Sequence, residues 1–212
     1  MTNNTLTPIQ INGKNVEYVN DYIYLGKQLS FRETDKEEVE RRIASAWKRY
    51  WSLKHILKSK LSTKLKKKVL DSCVLPCLTY GCQTWCLTEK TASKISVCQR
   101  AMERSILNLK LSDKVKNTEI RKQTQVSDAI THVRKLKWKW AGHLSRYEDG
   151  RWTKRITKWR GPSTGKRRVG RPLKRWADDI RAVAGENWMK VAQYREKWSS
   201  LEEAFTRTGV PL

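Results

Sequence analysis

Three sets of side chains have the types and spacing for chemistry. Asp178-Asp179, preceded by Trp176-Ala177, imitates the aromatic-x-Asp-Asp motif of nucleotide polymerases. Two-metal nucleotidyl transfer needs converging carboxylates that hold divalent ions about 4 Å apart. Cys73, Cys77, Cys82 and Cys86 bring together four thiols, the ligand number of a structural zinc. The third set is cationic. Residues 151–175 hold eleven Lys or Arg and no acid, interleaved with Trp152 and Trp159. Positive charge binds phosphates, and indole faces stack on unpaired bases.

The elements that must carry these residues decide among them. Leu173, Trp176, Ile180 and Val183 recur at helical spacing, so Asp178 and Asp179 fall towards the polar side of a helix. A charge pair there reads as a solvated face, and no catalytic residue is expected. Cys73 lies on the apolar face of a helix, with Leu, Val, Tyr and Trp between the other thiols. That pattern reads as core, and no metal site is expected. His55, His132 and His143 have no nucleophile signature beside them, and there is no phosphate loop of Walker type.

The cationic set survives this sorting. Candidate nucleic-acid contacts are Arg151, Trp152, Lys154, Arg155, Lys158, Trp159, Arg160, Lys166, Arg167, Arg168, Arg171, Lys174 and Arg175. Residues 166–172 also resemble an AT-hook, whose Gly-Arg-Pro lies extended in a narrow minor groove. A solvated linker or a nuclear-import signal are the plainer readings of the same stretch. A second group, Arg41, Arg42, Lys48, Arg49 and Lys54, sits on a helix whose apolar stripe is already accounted for. Lys64, Lys66, Lys67 and Lys68 either join it or are simply exposed.

The whole composition agrees with a polyanionic partner. Of 212 residues, 45 are Lys or Arg and 21 Asp or Glu, a net charge of +24. Folding needs no such excess. The charge is concentrated: residues 41–110 sum to +13 and residues 151–175 to +11, while residues 1–40 and 176–212 sum to −3 and −1. Five cysteines without a secretory signal suggest a reducing compartment. No apolar run approaches the ~20 residues of a membrane span, so no membrane partner is expected.

A mainly α fold follows from the periodicities. The Asn12-Gly13 pair predicts a tight antiparallel hairpin over residues 9–16. Tyr22 to Gly26 reads as a third short strand. A capping box at Thr34 and Glu37 opens a long helix over about 35–58, with Val39, Ile43, Trp47, Tyr50 and Leu57 on its apolar stripe. Ser62 starts a helix carrying Leu65, Val69 and Cys73 on one face, which Pro76 kinks or ends. Further helices are predicted over 89–109, 118–124 and 128–146. Residues 147–172 have no apolar period and read as an extended basic linker. A helix through Leu173 to Val183, ended by Gly185, then precedes two closing helices, Trp188 to Tyr194 and Ser199 to Arg207.

The order of these pieces resembles a family. A hairpin with an Asn-Gly turn, then Tyr24-Leu25-Gly26, then a basic helix is similar to a reverse-transcriptase palm running into its thumb. Arg100-Ala101-Met102-Glu103-Arg104, Val74-Leu75-Pro76, Thr79-Tyr80-Gly81 and Thr84-Trp85 resemble the thumb of non-LTR, LINE-type retrotransposon enzymes near the RTE-like group. Leu136-Lys137-Trp138, Trp140-Ala141-Gly142-His143, Asp149-Gly150-Arg151-Trp152, Gly170-Arg171-Pro172 and Arg175-Trp176 continue the likeness over nearly the whole chain.

The resemblance implies a palm end at 1–32, a helical thumb at 33–112 and a basic C-terminal region at 113–212. It implies that Tyr24, Leu25 and Gly26 match a primer-grip hairpin, with sheet core as the alternative for Tyr24 and Leu25. The expected partner is nucleic acid: RNA–DNA hybrid, element RNA or target DNA during target-primed reverse transcription. Contacts from the thumb would hold the backbone without reading sequence. The family's own aromatic-x-Asp-Asp motif belongs upstream of the Asn-Gly hairpin, and residues 1–9 do not carry it. As it stands, the chain is expected to be no enzyme and to need no cofactor, with Mg2+ required only in the complete parent polymerase. The role implies a nuclear location, with the cytoplasm as a second compartment. A host-adopted DNA- or RNA-binding protein, and an inert fragment of a decayed element, are the other two readings.

Overall fold

The computed structural model describes residues 9–30, 34–148, 150, 152–158 and 175–208. Two separate antiparallel hairpins open the chain. Strand β1 (Gln10–Ile11) pairs with β2 (Lys14–Asn15), and β3 (Asp21–Tyr24) with β4 (Lys27–Ser30). Asn12 and Gly13 turn the first with φ of 50° and 73°. Two successive positive φ values match the twist of the flanking strands, which is why Asn-Gly forecasts this turn. The predicted strand at Tyr22 to Gly26 is corrected: it ends at Tyr24, and Leu25-Gly26 makes a second turn of the same kind, with φ of 48° and 78°. A leucine in that region is strained by roughly 1–2 kcal/mol, so tertiary contacts must hold it.

Among the described residues every further element is helical, so the mainly α class holds. They are α1 (Thr34–Ser52), α2 (Lys54–Leu57), α3 (Thr63–Val69), α4 (Leu75–Thr79), α5 (Glu89–Ile106), α6 (Asn117–Thr124), α7 (Ala129–Arg146), α8 (Trp152–Lys158), α9 (Asp178–Ala184), α10 (Trp188–Val191), α11 (Arg195–Ser200) and α12 (Glu202–Thr208). The predicted helix over 35–58 breaks at Leu53, whose ψ of 15° leaves the helical well and starts α2. Its capping box rests on the Thr34 side chain, outside the described ones. Pro76 acts as its chemistry dictates: it cannot donate to a carbonyl one turn back, and residues Leu70–Val74 widen into a π-turn before α4 resumes with Pro76 in its first turn. Leu65, expected on the apolar face, is 47 % exposed.

Three other expectations change. Helix α5 ends at Ile106 rather than 109. The stretch expected as an extended linker contains a helix, α8. The two closing helices are three short ones, α10 to α12.

Two apolar cores form, and α7 enters both. Val39, Tyr50, Leu57, Val74, Trp85, Ile95 and Met102 belong to the first, which continues past residue 112 through Ala129, Ile130 and Val133. Trp138, Ala141, Ile180, Trp188, Trp198 and Phe205 belong to the second. At the start of α7, Asp128 caps Thr131 N–H at 2.9 Å. The Gln99 side chain on α5 accepts from Ala129 N–H and donates to the Ser127 carbonyl, each at 2.8 Å.

Candidate nucleic-acid interface

The hairpin tip and two members of the first cationic group, Arg41 and Arg42, prove to be neighbours. Glu38 on α1 is fully buried. It accepts from Arg42 Nε at 2.7 Å, from Arg41 at 2.8 Å and from the Gln28 backbone N–H at 3.1 Å. Both arginines also donate to the Gly26 carbonyl. Tyr80 lies under the Arg42 guanidinium, 4.6 Å from its ring centroid, and donates its hydroxyl to the Leu25 carbonyl at 3.3 Å. These donors hold the strained turn. They leave Tyr24 57 % and Leu25 76 % exposed. Gly26 is half-buried beneath the arginines.

Arg42 is thus a buried internal strut, 8 % exposed, rather than a surface cation. In sequence it groups with the others because its acidic partner, Glu38, sits only one helical turn earlier and reads as a surface i,i+4 pair. Arg41 is partly exposed. Lys48, Arg49 and Lys54 are exposed. Lys64 and Lys68 are also exposed, whereas Lys67 pairs with Asp71 at 2.6 Å and Lys66 is 7 % exposed.

Helix α8 is the clearest cationic surface. It holds Trp152, Lys154, Arg155 and Lys158, no acid and no buried residue. Trp152 is 73 % exposed, with the Arg155 guanidinium 5.5 Å from its ring. Lys154 is the anchor, donating to the Tyr147 carbonyl at 2.5 Å. Lys158 and Arg155 are exposed, and Arg175 is half-buried with its backbone N–H on Asp178 Oδ2 at 2.7 Å. Arg151, Trp159, Arg160, Lys166, Arg167, Arg168, Arg171 and Lys174 lie outside the described residues.

Other basic side chains serve the interior. Arg134 donates to the Thr206 carbonyl at 2.9 Å and Arg146 to the Ala192 carbonyl at 2.8 Å; burial pushes the pKa of each guanidinium down. Arg100 meets Glu103 at 2.5 Å, where Thr124 also donates at 3.1 Å. Burial raises the Glu103 carboxyl pKa against the pull of Arg100. Lys137, 2 % exposed, pairs with Asp179 at 2.9 Å and lies 5.1 Å from the Trp176 ring centroid.

That last pair corrects the expectation for Asp179. It is not on a solvated face but 9 % exposed and held by a buried ammonium. Among the described residues no three His, Cys, Asp or Glu side chains converge on a position that could hold a metal ion. The described residues therefore offer no carboxylate cluster for the paired Mg2+ ions of a polymerase. No cysteine forms a disulfide. Burial pushes the Cys82 thiol up to about 12 and Cys98 up to about 11, the behaviour of core residues.

Most stretches that carry the family likeness build cores. Met102, Trp85, Trp138 and Ala141 are each at most 1 % exposed. Trp176 donates its indole N–H to the Gln83 carbonyl at 2.7 Å and so ties α9's start to the 3-10 turn Cys82–Thr84.

No protein-family model matches the chain, and no solved structure matches it. Among known proteins it is similar to a transposon-derived protein of Caenorhabditis elegans whose own role is uncharacterised. The two are 34% identical over 193 residues, which is 85% of this chain and 69% of that protein.

Proposed function

Because the chain belongs to a family of transposon-derived proteins, we propose that it is a nucleic-acid-binding C-terminal part of a non-LTR retrotransposon reverse transcriptase. In this reading it grips RNA–DNA hybrid, element RNA or target DNA by the backbone during target-primed reverse transcription. It performs no phosphoryl transfer itself. Its place of action is the nucleus, with the cytoplasm as a second compartment.

The observation that carries the reading is α8: a helix without an acid or a buried residue, presenting the exposed cations Arg155 and Lys158 and an open indole. A core-forming helix has an apolar stripe, and α8 lacks the buried half of one. A polyanion with unpaired bases satisfies both of its chemistries. The acid-free charge of residues 159–175 adds to it in sequence.

A salt titration of binding tests the reading. If about six cations neutralise duplex phosphates, log K against log salt falls with a slope of roughly −5. Replacing Lys166, Arg167, Arg168 and Arg171 by Ala flattens that slope by up to about four units. Replacing Arg155 and Lys158 flattens it by about two. No measurable binding at low salt, or a slope that none of these changes moves, rules the reading out. Primer extension with Mg2+ or Mn2+ by this chain alone is expected to stay at background; extension above it refutes the non-catalytic role.

A further inference from the structure

Away from α8, an open aromatic cluster stands at the C-terminal end of α1. Trp47 and Trp51, one helical turn apart, stack with ring centroids 6.0 Å apart and planes at 21°. Tyr50, fully buried, meets both edge-on, at 5.3 Å and 71° to Trp47 and 5.3 Å and 88° to Trp51. Trp51 is nevertheless 50 % exposed. An indole usually has either a covered face or freedom to reorient. This one is held by two neighbouring rings, one of them rooted in the core, and still offers surface to solvent.

The sequence on either side of it carries charge of one sign. Between Glu40 and Asp71 the sequence has no acid and eleven Lys or Arg. Lys48, three residues before Trp51, is exposed on the same helix, and Lys54 is exposed just beyond it. Residues three apart on a helix are surface neighbours. Several of the eleven are engaged elsewhere: Arg41 and Arg42 on Glu38, Lys67 on Asp71, and Lys58, whose amine donates to the Ser105 carbonyl at 2.6 Å and to Asn108 Oδ1 at 2.9 Å.

We infer that Trp51 is a stacking platform for an unpaired base of a bound nucleic-acid strand, with Lys48 and Lys54 on the adjoining phosphates. This rests on the nucleic-acid-binding reading above and adds a second contact, separate from Trp152. Every base has a π-face, so the contact tolerates any sequence but requires a base outside the duplex. The fixed ring orientation lowers the ordering cost of stacking.

The test compares the full chain with Trp51→Ala and Trp51→Phe on two probes. One is a single strand with 2-aminopurine at successive positions. The other is a duplex whose ends are closed by non-nucleotide linkers, so that it has no unpaired base. Trp51→Ala is expected to weaken single-strand binding roughly 5- to 150-fold. Trp51→Phe falls between, and both variants bind the closed duplex like the parent with its salt slope. Quenching of 2-aminopurine at one position is expected to diminish in both. Equal loss on the two probes, with a lowered Tm in Trp51→Phe as well, shows a structural tryptophan and overturns the platform. Unchanged single-strand affinity and quenching in Trp51→Ala overturns it too, and assigns the exposed ring to another partner. A parent chain that binds neither probe at low salt removes the nucleic-acid reading and the platform with it. Trp152→Ala run alongside separates the two failures: if it alone loses affinity, the reading stands and the platform falls.

Discussion

Trp138 and Trp198 lie face to face, ring centroids 3.8 Å apart and planes 6° from parallel, and each donates its indole N–H to the other's backbone carbonyl, at 3.0 and 3.1 Å. The exchange satisfies two buried polar groups that would otherwise be costly and fixes α11 against α7. Phe205 adds a third ring 4.7 Å from Trp138. Gly142 makes room: a Cβ there would stand 2.6 Å from Trp198 Nε1 and 2.9 Å from its Cδ1.

Gly142→Ala is therefore expected to destabilise by about 1–3 kcal/mol, the usual cost of overpacking, although alanine is the better helix former. Trp198→Ala is expected to cost about 3–5 kcal/mol. Urea unfolding measures both. A stabilised Gly142→Ala protein would mean that helix propensity outweighs the clash and that Trp198 can move aside.

The Lys137–Asp179 pair joins α7 to α9, and Lys137 also donates to the Trp85 carbonyl at 3.4 Å. Removing one partner leaves a buried charge alone. Lys137→Met and Asp179→Leu are each expected to destabilise by about 3–5 kcal/mol, and the double variant by clearly less than their sum. Additive losses in that cycle would show that the two charges do not depend on each other.

Leu25→Asn is expected to raise Tm. Asparagine tolerates the φ of 48° that leucine resists, and Asn-Gly is the favoured pair for such a turn. The gain expected is about 0.5–1 kcal/mol. Leu25 is 76 % exposed, so little packing is lost in exchange. A lower Tm would mean that the leucine side chain, not the turn, holds the hairpin.

His132 on α7 gives a pH dependence. Burial lowers its pKa below the ordinary 6.5; Asp71 opposes this, while Lys135 and Lys139 reinforce it. The unfolded chain then binds the proton more readily than the native one, so this residue's contribution to stability is lost as pH falls below about 6.5. His132→Gln is expected to narrow the difference in Tm between pH 7.5 and pH 5.5. An identical difference in both proteins would remove His132 as its source.

The helical class, the Asn12-Gly13 turn and the stop at Gly185 were legible because each depends on neighbours in sequence. Hydrophobic periodicity, cap chemistry and positive-φ turns are local rules. The net charge and its two concentrated blocks were equally plain, as sums over residues. Local rules could not say which cations were free. Arg42 reads as a surface cation, yet the fold buries it against Glu38, and nothing local shows that Lys137, Arg134 and Arg146 meet an acid or a carbonyl up to 72 residues away. They could not place Asp179 inside, since its partner lies 42 residues earlier. Nor could they separate Trp198, locked on Trp138, from Trp51, half open on α1. A tryptophan's role depends on what covers its faces. For Trp198 the cover is a second helix whose approach depends on Gly142 having no side chain, and only the tertiary structure could decide that.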